Sequence, residues 1–152
     1  MQKTVRKAWN EYIQPLLYRP PLVQVAALCV RGKGKDKEVL LITSRGTGRW
    51  IIPKGWPMTG KSDAEAATQE AWEEAGVRAT KTSPMPIGSY RYAKNGPGGI
   101  VTPMEAQVYM VKVDKLARKF PEATERKRKW FPPKEAAQKV DEMALKDLLL
   151  SL

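Results

Sequence analysis

The stretch Gly55–Val77, GWPMTGKSDAEAATQEAWEEAGV, decides how this chain is read. It sets Glu70, Glu73 and Glu74 on a short helix just after a glycine-bearing loop. At about 100° per residue, positions i, i+3 and i+4 fall within an arc of about 100°, so the three carboxylates face one volume. Three like charges so close repel one another, and an acidic helix face of this kind can simply be solvated. The residues around it point instead to a divalent-metal site.

The helix is well marked. Ser62 followed by Glu65 reads as a capping box, and Gly76 occupies the position of a left-handed residue closing the helix. Ala64, Ala67, Ala71 and Ala75 form a second stripe spread over about 80°, small enough to let the helix lie close on a sheet. The carboxylates border that stripe, where partial desolvation strengthens their hold on a hard cation that takes oxygen ligands. Magnesium or manganese fits best. The chain has no His and one thiol, Cys29, which excludes a zinc site built from His or Cys.

These residues resemble the signature of the Nudix hydrolases: Gly, five residues, Glu, seven residues, Arg-Glu, an apolar residue, any residue, Glu-Glu, any residue, Gly, and an apolar residue. Gly55, Glu70, Ala71, Glu73, Glu74, Gly76 and Val77 fall at matching positions, while Lys61 replaces the first Glu and Gln69 replaces the Arg. The resemblance implies that Glu70, Glu73, Glu74 and the backbone carbonyl of Gly55 bind the metals. It also implies that Gln69 orients a neighbouring Glu by a hydrogen bond where the family uses an ion pair. Lys61 puts a cation near a helix N-terminus, unfavourable by a few tenths to about 1 kcal/mol. It either takes a substrate phosphate or points to solvent.

Outside that box, RWIIPKGWP (Arg49–Pro57) and ERKRKWF (Glu125–Phe131) are similar to the diphosphoinositol polyphosphate phosphohydrolase branch, which also cleaves diadenosine polyphosphates. The likeness runs from about Val23 to Val140. It implies phosphate contacts for Lys54, which precedes Gly55, and for Arg49, Arg126, Lys127 and Arg128. Arg supplies forked donors suited to phosphate oxygens. Tyr90, Tyr92 and Trp56 are candidates for stacking on adenine, or for plain packing.

Charge agrees with an anionic partner. The 152 residues hold 27 Lys plus Arg against 16 Asp plus Glu, a formal charge of +11. Such a field attracts polyanions, and nucleic acid is a possible but not favoured partner beside a small polyphosphorylated substrate. Lys112, Lys115, Arg118, Lys119 and Arg126–Lys129 crowd one segment, with Trp130 and Phe131 as anchors, and Arg31, Lys33, Lys35 and Lys37 cluster in a turn.

The length suits a single domain over 1–152, with 1–20 as an N-terminal extension. One Cys suits a reducing compartment, and no apolar run approaches a membrane span, so a cytoplasmic location is expected. Helices are expected over 4–13, 134–140 and 144–152, the last turning Leu145, Leu148, Leu149 and Leu152 inward. Strands are expected over 23–30, 39–43, 50–52, 87–92 and 106–113, the last two antiparallel to each other. The sum is an α/β fold, a Nudix-type α/β/α sandwich on a mixed sheet.

The expected chemistry is metal-assisted hydrolysis of a phosphoanhydride, with one of the three helix carboxylates, Glu105 or Glu125 as base. Three function classes stay open. The first is hydrolysis of diphosphoinositol or dinucleoside polyphosphates. The second is hydrolysis of another nucleoside diphosphate derivative or of an RNA 5′ end. The third is a non-catalytic polyphosphate or nucleic-acid binding module, suggested by Lys61 and Gln69.

Overall fold

A largely aliphatic run makes the central strand. The computed structural model describes residues 20–152, and in it β1 (Leu22–Arg31) is buried from Gln24 to Val30, as a strand covered on both faces must be. A 3-10 turn at Gly34–Asp36 leads to β2 (Glu38–Thr43), which returns antiparallel to β1. Two short strands follow. β3 (Trp50–Ile51) pairs with β2, and β4 (Lys54–Gly55) pairs with β1 at Ala26 and Val25. That second pairing pins the Gly55 loop to the middle of the sheet.

After helix α1 (Asp63–Ala75) come β5 (Val77–Thr82), β6 (Gly88–Asn95) and the long β7 (Val101–Leu116). β7 runs parallel to β1 from Leu22↔Met104 to Val30↔Lys112, and β6 and β5 pair antiparallel along its other edge. β8 (Arg128–Phe131) pairs with β2, and two helices close the described chain, α2 (Pro133–Lys139) and α3 (Met143–Leu150). The main path of the sheet is β3-β2-β1-β7-β5, with parallel and antiparallel neighbours mixed.

Alternation along β1 divides the core in two. Val25, Ala27 and Cys29 join Leu40, Ile42 and Val111 beneath the α1 alanines Ala66, Ala67, Ala71 and Ala75. Ala26, Leu28 and Val30 pack on the other face with Leu41, Val108, Ala136, Val140, Leu145 and Leu149. Helix, sheet and helices thus form the expected α/β/α sandwich.

Several boundaries differ from those expected. β7 reaches well beyond 106–113 at both ends, because it has β1 on one edge and β5 and β6 on the other. β5, with the sequence VRATKT, and β8, with RKWF, carry weak strand patterns of their own and are ordered by pairing with β7 and β2. α3 ends at Leu150, so Leu152 lies beyond it and, like Leu148, packs only at the edge of the core. The helix expected over 4–13 lies outside the described residues. Among the described residues no helix is long and apolar enough to cross a membrane.

Candidate active site

The floor of the site is α1, and both of its ends are fastened locally. Ser62 Oγ accepts from Glu65 N at 3.1 Å and Glu65 Oε1 accepts from Ser62 N at 3.0 Å, completing the capping box. At the other end Gly76 adopts φ 68°, ψ 27° and donates to Trp72 O at 2.9 Å. Fully buried alanines let the helix settle against the sheet, which sets Glu70 and Glu74 beside β4. The approach is so close that a Cβ on Gly55 would overlap the Glu70 carboxylate.

Glu74 is 4% exposed, rare for an acid. Its Oε2 accepts from Lys54 N at 3.3 Å, and its Oε1 lies 3.3 Å from Arg126 Nη2. Arg126 also reaches Glu122 Oε1 at 3.2 Å and donates to Thr43 O at 3.0 Å. Burial pushes the Glu70 carboxyl up to about 7, helped by the charges of Glu73 and Glu122. Burial likewise pushes Glu74 up to about 7; Arg126 opposes the rise, while Glu70 and Glu122 add to it. Glu73 takes a different partner: its Oε1 accepts from Gln69 Nε2 at 2.9 Å. Gln69 therefore orients Glu73, one turn along, and not its neighbour Glu70.

This is a set of hard oxygen donors whose mutual repulsion a divalent cation would relieve, and the Gly55 backbone sits against it, so the residues fit such an ion in kind. Among the described residues no three acidic side chains are gathered into a finished cage. Arg126 bridges Glu74 and Glu122.

Above the floor opens a cleft of about 660 Å³, walled by Arg45, Arg49, Lys54, Lys94 and Arg126 among others. Lys54 holds its Nζ 4.9 Å from the Tyr92 ring centre, and burial lowers its pKa against the pull of Glu74 and Glu142. Arg49 is committed to carboxylates: its Nη1 donates to Asp141 Oδ2 at 2.9 Å and lies 3.6 Å from Glu142 Oε1. The hydrogen bond to Asp141 raises its pKa.

The ERKRKWF segment splits along the strand that it enters. Arg126 reaches the cleft. Lys127 is exposed, with its backbone N donating to Thr43 Oγ1 at 2.9 Å. Arg128 donates to Ala75 O at 2.7 Å and lies over Phe120, so it braces the end of α1 and does not line the cleft. Tyr92 lines the cleft and its hydroxyl donates to Gln24 Oε1, Tyr90 is buried in the core, and Trp56 is exposed outside the cleft lining. Glu105 lies 3.7 Å from Arg91 and Glu125 lies 3.6 Å from Arg45, and neither lines the cleft. Lys61 is exposed in a separate groove with Gln69 and Trp72.

Glu122, Asp141 and Glu142 escaped the sequence reading. Glu122 had one signal, its i, i+4 spacing to Arg126. The acidic pair 141–142 had none, because its role depends on meeting Arg49, which lies just before β3 and is distant in sequence.

Comparison with known proteins agrees with this architecture. The family model described as NUDIX domain matches residues 20–150. Diphosphoinositol polyphosphate phosphohydrolase 3-beta of Homo sapiens is 27% identical over 115 residues, covering 74% of this chain and 65% of that protein. Diphosphoinositol polyphosphate phosphohydrolase 2 of Mus musculus is also 27% identical over 115 residues, covering 74% of this chain and 59% of that protein. The chain thus spans somewhat less than two thirds of the length of these relatives. The crystal structure of the C. elegans Ap4A hydrolase superposes with a TM-score of 0.62 at 18% identity, covering 87% of this chain and 97% of that one, a likeness of fold. With the family model spanning nearly all described residues, the chain belongs to the NUDIX domain family.

Proposed function

We propose that this protein is a divalent-metal-dependent hydrolase of phosphoanhydride bonds in small polyphosphorylated molecules, either dinucleoside polyphosphates or diphosphoinositol polyphosphates. The observation that carries the reading is Glu74, a buried acid lining a basic cleft, with Glu70 one turn along α1 against the Gly55 backbone and both carboxyls pushed up by burial. Two like charges are kept together at an electrostatic cost that makes sense where a cation is to be held. Relatives named diphosphoinositol polyphosphate phosphohydrolases support the substrate class.

Glu70, Glu73, Glu74 and the Gly55 carbonyl are the residues that would hold magnesium or manganese. When bound, such ions neutralise phosphate oxygens and lower the pKa of a coordinated water. The chain's own residues supply the rest. Lys54 and Arg126 orient the anionic ligand from the wall of the cleft, and a floor carboxylate takes the proton of the attacking water. Arg49, Lys127 and Arg128 contribute more remotely, through the carboxylates and backbone groups that they hold. Buried Cys29, with its thiol pushed up to about 12 chiefly by desolvation, fits a cytoplasmic setting in which it stays reduced.

A screen of dinucleoside tetraphosphates, diphosphoinositol polyphosphates, nucleoside diphosphate derivatives and 5′-triphosphorylated RNA, in magnesium or manganese, tests this directly. Turnover of either of the first two supports the reading. No turnover of any compound with either metal removes it.

A further inference from the structure

Glu142 is a buried carboxylate that the floor chemistry does not use. It stands at the N-terminal edge of α3, its side chain is 9% exposed, and it lines the same cleft as Lys54, Tyr92 and Arg126. One oxygen, Oε1, lies 3.6 Å from Arg49 Nη1. The other, Oε2, is buried with no hydrogen-bond partner among the described residues. An orphaned carboxylate oxygen carries a desolvation cost that native proteins rarely accept without a use.

Its surroundings say what kind of group would satisfy it. Arg49 holds Asp141 directly and faces Glu142, so these two acids form a fixed anionic wall in an otherwise basic cleft. Such a wall repels phosphate and attracts an N–H or O–H donor. Lys54 lines the same cleft as Glu142, which places a phosphate-directed cation and an uncommitted acceptor in one cavity. The terminal torsion of Glu is soft, so turning an oxygen toward a ligand costs little. On the other side, the hydroxyl of Tyr92 and Gln24 Oε1 satisfy each other and leave Glu142 as the unfilled acceptor.

We infer that Glu142 is the acceptor of a subsite that reads a hydrogen-bond donor on the organic part of a nucleoside-type polyphosphate, with Lys54 and Arg126 taking the phosphates. The inference rests on the proposed phosphoanhydride hydrolysis and narrows its substrate: a ring phosphorylated at its hydroxyls has few donors to offer Glu142 and brings anions toward it. Glu142 is a specificity residue, and its effect falls on the choice of ligand.

Calorimetric titration of the full chain in magnesium with AMP, ribose 5-phosphate and inorganic phosphate tests it without requiring turnover. AMP is expected to bind about tenfold or more tighter than phosphate, and Glu142→Gln is expected to erase most of that preference, as loss of a buried charge-assisted hydrogen bond should. If ribose 5-phosphate shares the preference, the donor is a sugar hydroxyl; if AMP alone shows it, the donor is on the base. Equal affinities for all three ligands in the unmodified protein, or an AMP preference untouched by Glu142→Gln, would overturn the inference. Hydrolysis of a dinucleoside tetraphosphate is scored separately, so an intact AMP preference without turnover sinks the proposed reaction and leaves the subsite standing.

Discussion

The floor of the cleft and its α3 wall each bring one buried acid, Glu74 and Glu142, to the same space beside a more exposed one, but they are built by different means. Glu70 and Glu74 are one helical turn apart on α1, whose cap, closing glycine and alanine stripe are local features of a single segment. Asp141 and Glu142 stand between two short helices, and Arg49, which holds them, comes from the other end of the chain. The floor crowds acids together and raises their pKa values, as suits capture of a cation. The wall spaces its acids around an arginine and leaves one oxygen unclaimed, as suits a neutral donor. Similar side chains thus meet opposite electrostatic surroundings according to which charges the fold brings to them.

The sharpest way to break this contrast is at the floor. Glu70→Gln is expected to lower kcat by about a hundredfold or more with little change in Tm, since it removes a proposed metal ligand and no packing. Steady-state kinetics and a thermal melt check it, and an unchanged kcat would contradict the assignment. Gly55→Ala attacks the same carboxylate from the backbone side. The added methyl overlaps the Glu70 carboxyl, so a loss of about 1–3 kcal/mol in urea unfolding is expected together with slower turnover.

The floor should also answer to pH. Glu70 and Glu74, at about 4.5 when unperturbed and about 7 when folded, retain protons that the unfolded chain releases. Their effect on stability is most favourable below about pH 4.5 and is lost as pH rises through about 7. Chelated protein is therefore expected to gain more in Tm from added magnesium at about pH 7.5 than at about pH 5. Equal gains at both would mean that these carboxylates are not the ligands.

Smaller effects separate support from chemistry. Ser62→Ala removes half of the capping box and is expected to cost about 1 kcal/mol in denaturant unfolding. At the wall, Arg49→Lys keeps a charge and loses the fork, and because the pair with Asp141 is largely exposed the stability cost should stay below about 1 kcal/mol. A larger loss there would show the wall to be a structural clamp instead of a recognition surface.

The α1 segment was legible because its information is short-range. Capping at Ser62 and Glu65, the αL position at Gly76 and the alanine stripe depend on residues within a few turns, and the helix appears over nearly the span that they mark. The β-branched and aliphatic run of β1 likewise announced a strand, and two of the α3 leucines expected to face inward, Leu145 and Leu149, are buried. β5 and β8 were illegible because VRATKT and RKWF become strands only when β7 and β2 supply partners. Arg126 and Arg128 look equivalent in the chain, yet one meets Glu74 and the other meets the last turn of α1.

What the amino-acid order determined by itself was the helix and the face that its carboxylates share, since helical periodicity and capping act over a few residues. What only the tertiary structure decided was which charges neutralise which. Arg126 bridges two acids and Arg49 holds the 141–142 wall, leaving Glu142 with an oxygen unclaimed among the described residues, because ion pairing and desolvation depend on distances through space that the linear chain does not specify.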